Sequence, residues 1–237
     1  MALIPNRNAR YRRLLATLAL AGLVGLAPGT VSAGGPLWPE IGKILVAEQA
    51  ATSPSLAPPL DLMKDKNVRK GERILTGPFG RIHVKFKDGS EISIGAEADI
   101  TLDDLVYDPS DRQANRFEVT IVAAAFRYLS GAIAKLNGAQ IMLRTPLAAI
   151  GIRGTHVLAI VSKNNTGCIV LLPTPGAEGK PSALTVTANG KTVVIDRPVW
   201  GTEVSGDGDG PTPPQTWPRA RIIKMLAMSG SSAAFIE

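Results

Sequence analysis

The chain has 237 residues, 45% of them hydrophobic, and a formal charge of +6 from 26 Lys and Arg against 20 Asp and Glu. That length supports one domain with a sizeable core plus extensions, and the single cysteine, Cys168, excludes an intrachain disulfide. Much of the positive balance sits at the N terminus, which argues against a nucleic-acid binder, where a dense basic patch would persist in the folded part.

Residues 1–33 have the make-up of a secretory signal peptide. Arg7, Arg10, Arg12 and Arg13 form a basic start, no acidic residue precedes Glu40, and Leu14 to Ala27 is an uncharged apolar stretch of 14 residues. Such a stretch suffices for export but falls short of the about 20 residues needed to span a bilayer core. Val31-Ser32-Ala33 places cleavage after Ala33; a retained N-terminal anchor is the alternative. Arg12-Arg13 raises twin-arginine export, but Tyr11 and Leu14-Leu15 fit that pattern poorly, and no lipid-bearing cysteine follows the cleavage position. The expected location is periplasmic or secreted. Losing four leader arginines leaves 22 basic against 20 acidic residues. Lys64, Lys66, Arg69, Lys70 and Arg73 cluster, but Asp61, Asp65 and Glu72 lie among them, as on a solvated loop face. No nucleic-acid partner is expected.

Residues 34–67 read as a Gly/Pro-rich start, a strand over Ile41–Glu48, and a Pro-rich exposed loop over 49–60. Period-two patterning then takes over. Ile82, Val84 and Phe86 alternate with Arg81, His83, Lys85 and Lys87, and Ile92 and Ile94 continue the apolar face after an Asp88-Gly89 hairpin signal. Ile100 and Leu102 point inward on the next strand, residues 107–115 form a polar turn, and Phe117, Val119 and Ile121 open another strand. Asn137-Gly138 predicts a hairpin between Ala132–Leu136 and Gln140–Arg144; Asn189-Gly190 predicts one between Leu184–Ala188 and Thr192–Asp196. Cys168 falls in an apolar strand, as a small hydrophobe. These signals predict an all-β fold, an antiparallel sandwich or a solenoid-like stack.

In Thr145–Val161 a Thr145-Pro146 turn leads into an apolar run broken by Gly151 to Thr155. Arg153 is its only charge, so its guanidinium is expected to bond carbonyls or a carboxylate and fix that turn.

The stretch Thr145-Pro146 to Gly151-Ile152-Arg153-Gly154-Thr155 resembles the end of a FecR domain, a periplasmic module. Further FecR-like pieces precede it in order: Gly71 to Gly77, which includes Thr76, then Gly80-Arg81, Phe86 to Ser90 with Asp88-Gly89-Ser90, Val106 to Pro109, and Phe126 to Gly131. The resemblance covers residues 68–161, with a looser likeness to about 204, here taken as a β-hairpin extension over 162–204. It implies the same all-β fold and a role in protein recognition. FecR-like regulators also carry an anti-sigma segment and a membrane helix; this sequence shows no such segment ahead of the leader, so sigma regulation is not expected.

Gly and Pro dominate 205–218, which reads as a flexible linker. Residues 219–237 then read as a short amphipathic helix and tail, with Ile222, Ile223, Leu226 and Ala227 on one face and Arg219, Arg221 and Lys224 on the other. At about ten residues it needs a surface to form on, its own domain first, a partner or membrane surface second.

No catalytic, metal or cofactor site is expected. His83 and His156 with one cysteine offer no metal spacing, and no G-x-S-x-G, phosphate loop or H-E-x-x-H occurs. Asp207-Gly-Asp209-Gly lacks the glutamate that would complete a calcium loop. Two functional readings follow. One is a protein-interaction or signalling-related module with an envelope protein partner. The other is a cell-envelope structural or glycan-binding module using Trp38, Trp200 and Trp217.

Overall fold

The computed structural model describes residues 38–48, 51–53, 60–111, 113–136, 140–162, 167–172 and 182–231. The leader with its cleavage position at Ala33, the prolines at 54, 58 and 59, and the Asn137-Gly138 dipeptide lie outside them. The described strands are β1 (Glu40–Glu48), β2 (Ala51–Ser53), β3 (Leu60–Asp61), β4 (Asn67–Arg69), β5 (Glu72–Thr76), β6 (Arg81–Phe86), β7 (Glu91–Ile94), β8 (Asp99–Val106) and β9 (Arg116–Leu129). After a single 3-10 turn at Ile133–Lys135 come β10 (Gln140–Arg144), β11 (Ala149–Arg153), β12 (His156–Val161), β13 (Gly167–Leu172), β14 (Ala183–Ala188), β15 (Lys191–Ile195), β16 (Trp200–Val204) and β17 (Gln215–Thr216), then α1 (Arg219–Met228).

Pairing sorts the strands into two sheets. The first runs β4-β1-β6-β7-β9-β12-β13-β16-β17. The second runs β3-β2-β5-β8-β9-β10-β11-β14-β15. All described pairs are antiparallel except β9–β10. From β10 onward the chain lays down strands in pairs, alternating between the sheets, so each apolar face is covered by the next pair. The fold is an all-β sandwich, as the period-two patterning predicts.

β9 belongs to both sheets. Its first half, Arg116 to Ala123, pairs with β8 and β10 in the second sheet; its last half, Ala124 to Leu129, pairs with β7 and β12 in the first. Between Ile121 and Ala123 the register against β8 shifts by one residue at Val122. Such a bulge bends a strand, and a strand switching sheets makes a corner in this way. The small side chains of Ala123, Ala124 and Ala125 occupy the corner. Eleven extended residues would span on the order of 35 Å, yet the rings of Phe117 and Tyr128 stack at 5.4 Å. The two halves of the strand therefore face each other across the core. Phe86 completes the aromatic cluster, 4.8 Å from Phe117, among fully buried Ile74, Ile82, Ile100, Val119 and Phe126.

Four local expectations need correction. Residues 49–60 are not all loop, since Ala51–Ser53 pairs with β5 and buries Ser53. Ala132–Leu136 is no strand: it carries the 3-10 turn, and β10 pairs in parallel with β9 instead of forming a hairpin. Residues 162–204 are not an appended hairpin, because β13 and β16 extend the first sheet while β14 and β15 extend the second. The Gly/Pro stretch 205–218 is tied down: Thr202 donates to the Thr212 carbonyl at 2.6 Å, Glu203 N–H donates to Thr212 Oγ1 at 3.0 Å, and Gln215–Thr216 pairs with β16. The Asn189-Gly190 hairpin forms as predicted, both residues at positive φ (48° and 72°), the geometry of a type I′ turn.

The helix docks on its own domain. Ile222, Met225 and Leu226 are buried against Leu158, Leu172 and Trp217 on the outer face of the first sheet. The expected face is rotated, because 222, 225 and 226 are the set at i, i+3, i+4, and Ile223 and Ala227 are exposed. Gly230 at φ +72° ends the helix, its N–H donating to Ala227 and that of Ser231 to Leu226, a Schellman stop. Gly95 lets the helix end sit against the sheet, since a Cβ there would lie 1.8 Å from the Met228 carbonyl. Gly95→Ala is therefore expected to destabilise by about 1–3 kcal/mol through overpacking, seen as a lower urea midpoint at unchanged m-value.

Candidate functional site

The motif residues close turns. Asp88 is buried and accepts from Ser90 through both N–H (3.0 Å) and Oγ (2.5 Å), while Gly89 takes φ +80°. Gly131 packs on this turn so closely that a Cβ would meet Ser90 N at 2.3 Å, and the Ala132 N–H donates to the Asp88 carbonyl at 2.8 Å. Burial, reinforced by the negative charge of Asp88, pushes the Tyr128 hydroxyl pKa far up. Thr76 donates to the Gly95 carbonyl at 2.7 Å and accepts the Ala98 N–H at 2.8 Å, while Gly77 accepts from Gly80 and Glu97. Gly71 supplies φ +74° between β4 and β5. Thr145 clasps Ala148 around Pro146 by N–H and hydroxyl. A Cβ on Gly151 would meet Thr185 Oγ1 at 2.4 Å. Gly154 (φ +58°) turns β11 into β12, and the buried Thr155 accepts from Ser130 N–H and Oγ, the latter at 2.8 Å.

Arg153 departs from expectation. Its side chain is exposed and its guanidinium makes no hydrogen bond or ion pair with any described residue. In β11, Ile150 and Ile152 point into the core, which turns Arg153 to water. Gly154 and the Ser130–Thr155 contacts hold the turn.

The buried arginine is Arg127, which sequence reasoning passed over. It lies on the outward phase of β9, between core-facing Phe126 and Tyr128, and is only 9% exposed. Its Nε donates to Nε2 of fully buried His156 on β12. Burial pulls the guanidinium below its ordinary pKa, and Glu91 on β7 opposes that pull. Glu91 also meets His83 Nε2 at 3.1 Å and Lys85 at 3.2 Å. A polar row from β6 across β7 and β9 to β12 thus lies on the outer face of the first sheet, beside the seat of α1. A charge in the apolar run Ala123–Leu129 was the signal for it.

Of the basic cluster, Lys64 and Lys70 lie in turns, as expected of a loop face, whereas Arg73 lies on β5. Arg73 forks onto Asp99 with two 2.8 Å bonds, and Asp104 takes Lys70 and Arg116, each at 2.8 Å. Burial would raise the Asp104 pKa, but its contacts with Lys70 and Arg116 outweigh burial and hold it below the ordinary carboxylate value of 3.8.

The tryptophans differ in exposure. Trp217 is buried beneath the helix with the Arg221 guanidinium 3.6 Å from its ring centre, and Arg221 also pairs with Glu203. Trp200 is half-buried beside Arg197, and Trp38 is 50% exposed. Among the described residues no group of three or more His, Cys, Asp or Glu is placed to hold a metal, and no helix is long and apolar enough to cross a membrane.

No protein-family model matches the chain, and no curated protein does. Among solved structures, similarity is found to two crystal structures, each of a putative anti-sigma factor from Parabacteroides distasonis ATCC 8503, at 2.50 and 1.65 Å resolution. Each aligns over 65% of this chain at 10% identity with a TM-score of 0.49, spanning 63% and 64% of the neighbours' length. A likeness at that level fixes neither activity nor partner.

Arg153→Ala is expected to leave the unfolding free energy within about 0.5 kcal/mol, as for exposed positions generally, whereas Asp88→Ala should cost about 1–3 kcal/mol by orphaning the buried Ser90 donors; parallel urea titrations compare the two. Asp104 gives a pH signature. Its folded pKa is depressed, so its stabilisation is complete above the ordinary carboxylate value and lost as pH falls through the folded one. The stability gap between wild type and Asp104→Asn should be widest near neutrality and close on acidification, measured by denaturant titration across pH.

Proposed function

We propose that this chain is an exported, non-enzymatic protein-interaction module built on a FecR-like domain over residues 68–161, acting in the periplasm or outside the cell after removal of residues 1–33. The observation that supports it most is the use made of the motif residues. Apart from Arg153, each closes a turn or permits a close strand approach. Such residues build a scaffold rather than a reaction centre. The side-chain chemistry on display is then that of the outer sheet faces, above all the first sheet beyond the edge of α1, where β6 and β7 carry His83, Lys85 and Glu91. Signal-related partners in the cell envelope fit this reading, and it needs neither cofactor nor metal.

The test is chemical cross-linking of the protein in intact cells, with adducts and the N-terminal peptide identified by mass spectrometry. A discrete protein adduct, with an N terminus at Gly34, is the expected result. Recovery of the protein on cell-wall material with no protein adduct would overturn the proposal in favour of a structural or glycan-binding role.

A further inference from the structure

The half of the first sheet that α1 leaves uncovered contains a groove of about 360 Å³ along β1 and β6, with Gly89 of the Asp88-Gly89 turn among its lining residues. Three lysines line it, Lys43, Lys85 and Lys87. Lys43 and Lys85 are direct cross-strand partners, an arrangement of like charges that is unfavourable unless anions lie close by. Each has one: Lys43 meets Asp65 at 2.9 Å and Lys85 meets Glu91 at 3.2 Å, with both lysine side chains 52% exposed. Exposed ion pairs of this kind are weak, so they exchange readily with an incoming carboxylate. Lys87 is exposed and has no ion-pair partner among the described residues.

The floor of the groove is apolar and is built on purpose. The pairing of β1 with β6 shifts by one residue between Ile44 and Val46. That shift leaves Leu45 as the extra residue of a bulge, and bulges re-aim a side chain. Leu45 is half-buried and lines the groove beside Phe86. Gly42 sits at its base, where a Cβ would lie 2.7 Å from the Lys85 carbonyl. The strands therefore approach closely, and the floor stays low between the lysines.

Resting on the reading of the chain as an interaction module, we propose that this groove binds an acidic, partly apolar segment of the protein partner. Carboxylates of the segment engage Lys43, Lys85 and Lys87, and an apolar side chain lies on Leu45. The mixed lining decides between occupants. A uniform polyanion would gain nothing from the apolar floor, whereas the Glu40 carboxylate and Asn67 amide, which line the groove and already bond each other at 2.9 Å, offer acceptors to the N–H groups of an extended peptide.

The probe is a fluorescein-labelled peptide alternating Glu and Leu, compared with its Gln–Leu counterpart, polyglutamate and heparin by fluorescence anisotropy. The Glu–Leu peptide should bind saturably to the full chain, and at least about tenfold more weakly to K43Q/K85Q/K87Q of unchanged melting temperature. The Gln–Leu peptide should lose affinity similarly, and Leu45→Ser should weaken the Glu–Leu peptide while leaving polyglutamate unaffected. Absence of saturable binding, or equal affinity for the triple variant, overturns the proposal. Tighter binding of heparin that is indifferent to Leu45→Ser overturns it in favour of a polyanion surface. A cellular cross-link that survives in the triple variant overturns the groove while sparing the interaction-module reading. Absence of any adduct with the wild-type chain removes that reading instead.

Discussion

The one-residue bulge at Val122 sets the two-sheet geometry. Before it, the inward side chains of β9 are odd-numbered, Phe117, Val119 and Ile121; after it they are even-numbered, Ala124, Phe126 and Tyr128. A strand has a side-chain period of two, so a slip of one exchanges its faces. Without the slip, the last half of β9 would present Arg127 to the core and Phe126 and Tyr128 to the outside. With it, one strand supplies apolar side chains to the same core from both sheets. It also pairs with four neighbours, β8 and β10 on one half, β7 and β12 on the other.

The outer face of the first sheet divides along its strands. Toward β12 and β13 it is apolar, with Leu158, Ile160 and Leu172, and α1 covers that part with Ile222, Met225 and Leu226. Toward β6 and β7 it is charged, with Lys85, His83 and Glu91. A ten-residue helix has little stability alone, and this one is secured at both ends. Arg221 stacks on Trp217 and pairs with Glu203 at the start, and the Schellman stop over Gly95 fixes the finish. The helix thus satisfies the apolar half of the face and leaves the charged half to solvent.

Much of the fold was legible because period-two alternation is written directly in residues such as Ile82, Val84 and Phe86, and because Asp88-Gly89 and Asn189-Gly190 are turns that local sterics dictate. The dual membership of β9 was not legible: Val122 is an ordinary strand residue, and a bulge depends on which partner strand arrives opposite it. The ordered path of 205–218 was hidden for a similar reason. Gly and Pro announce turns, but whether turns are tied down depends on distant acceptors, here the Thr202–Thr212 contacts. In the candidate site, the turn-forming motif residues were readable as a set, while Arg127 and His156 required the three-dimensional pairing of β9 with β12.

The contrast between two arginines shows what sequence neighbours can and cannot say. Arg153 stands alone in an apolar stretch, yet it faces water, because its neighbours Ile150 and Ile152 share the opposite phase. Arg127 has equally apolar neighbours and is buried, because β7 and β12 flank its strand and bring His156 and Glu91 to it. The deciding quantity is strand phase combined with the width of the sheet on either side. The same corner that aligns the two sheets thereby brings Arg127 against His156, with the charge of Glu91 near enough to offset part of the cost of its burial, at the margin of the exposed charged face.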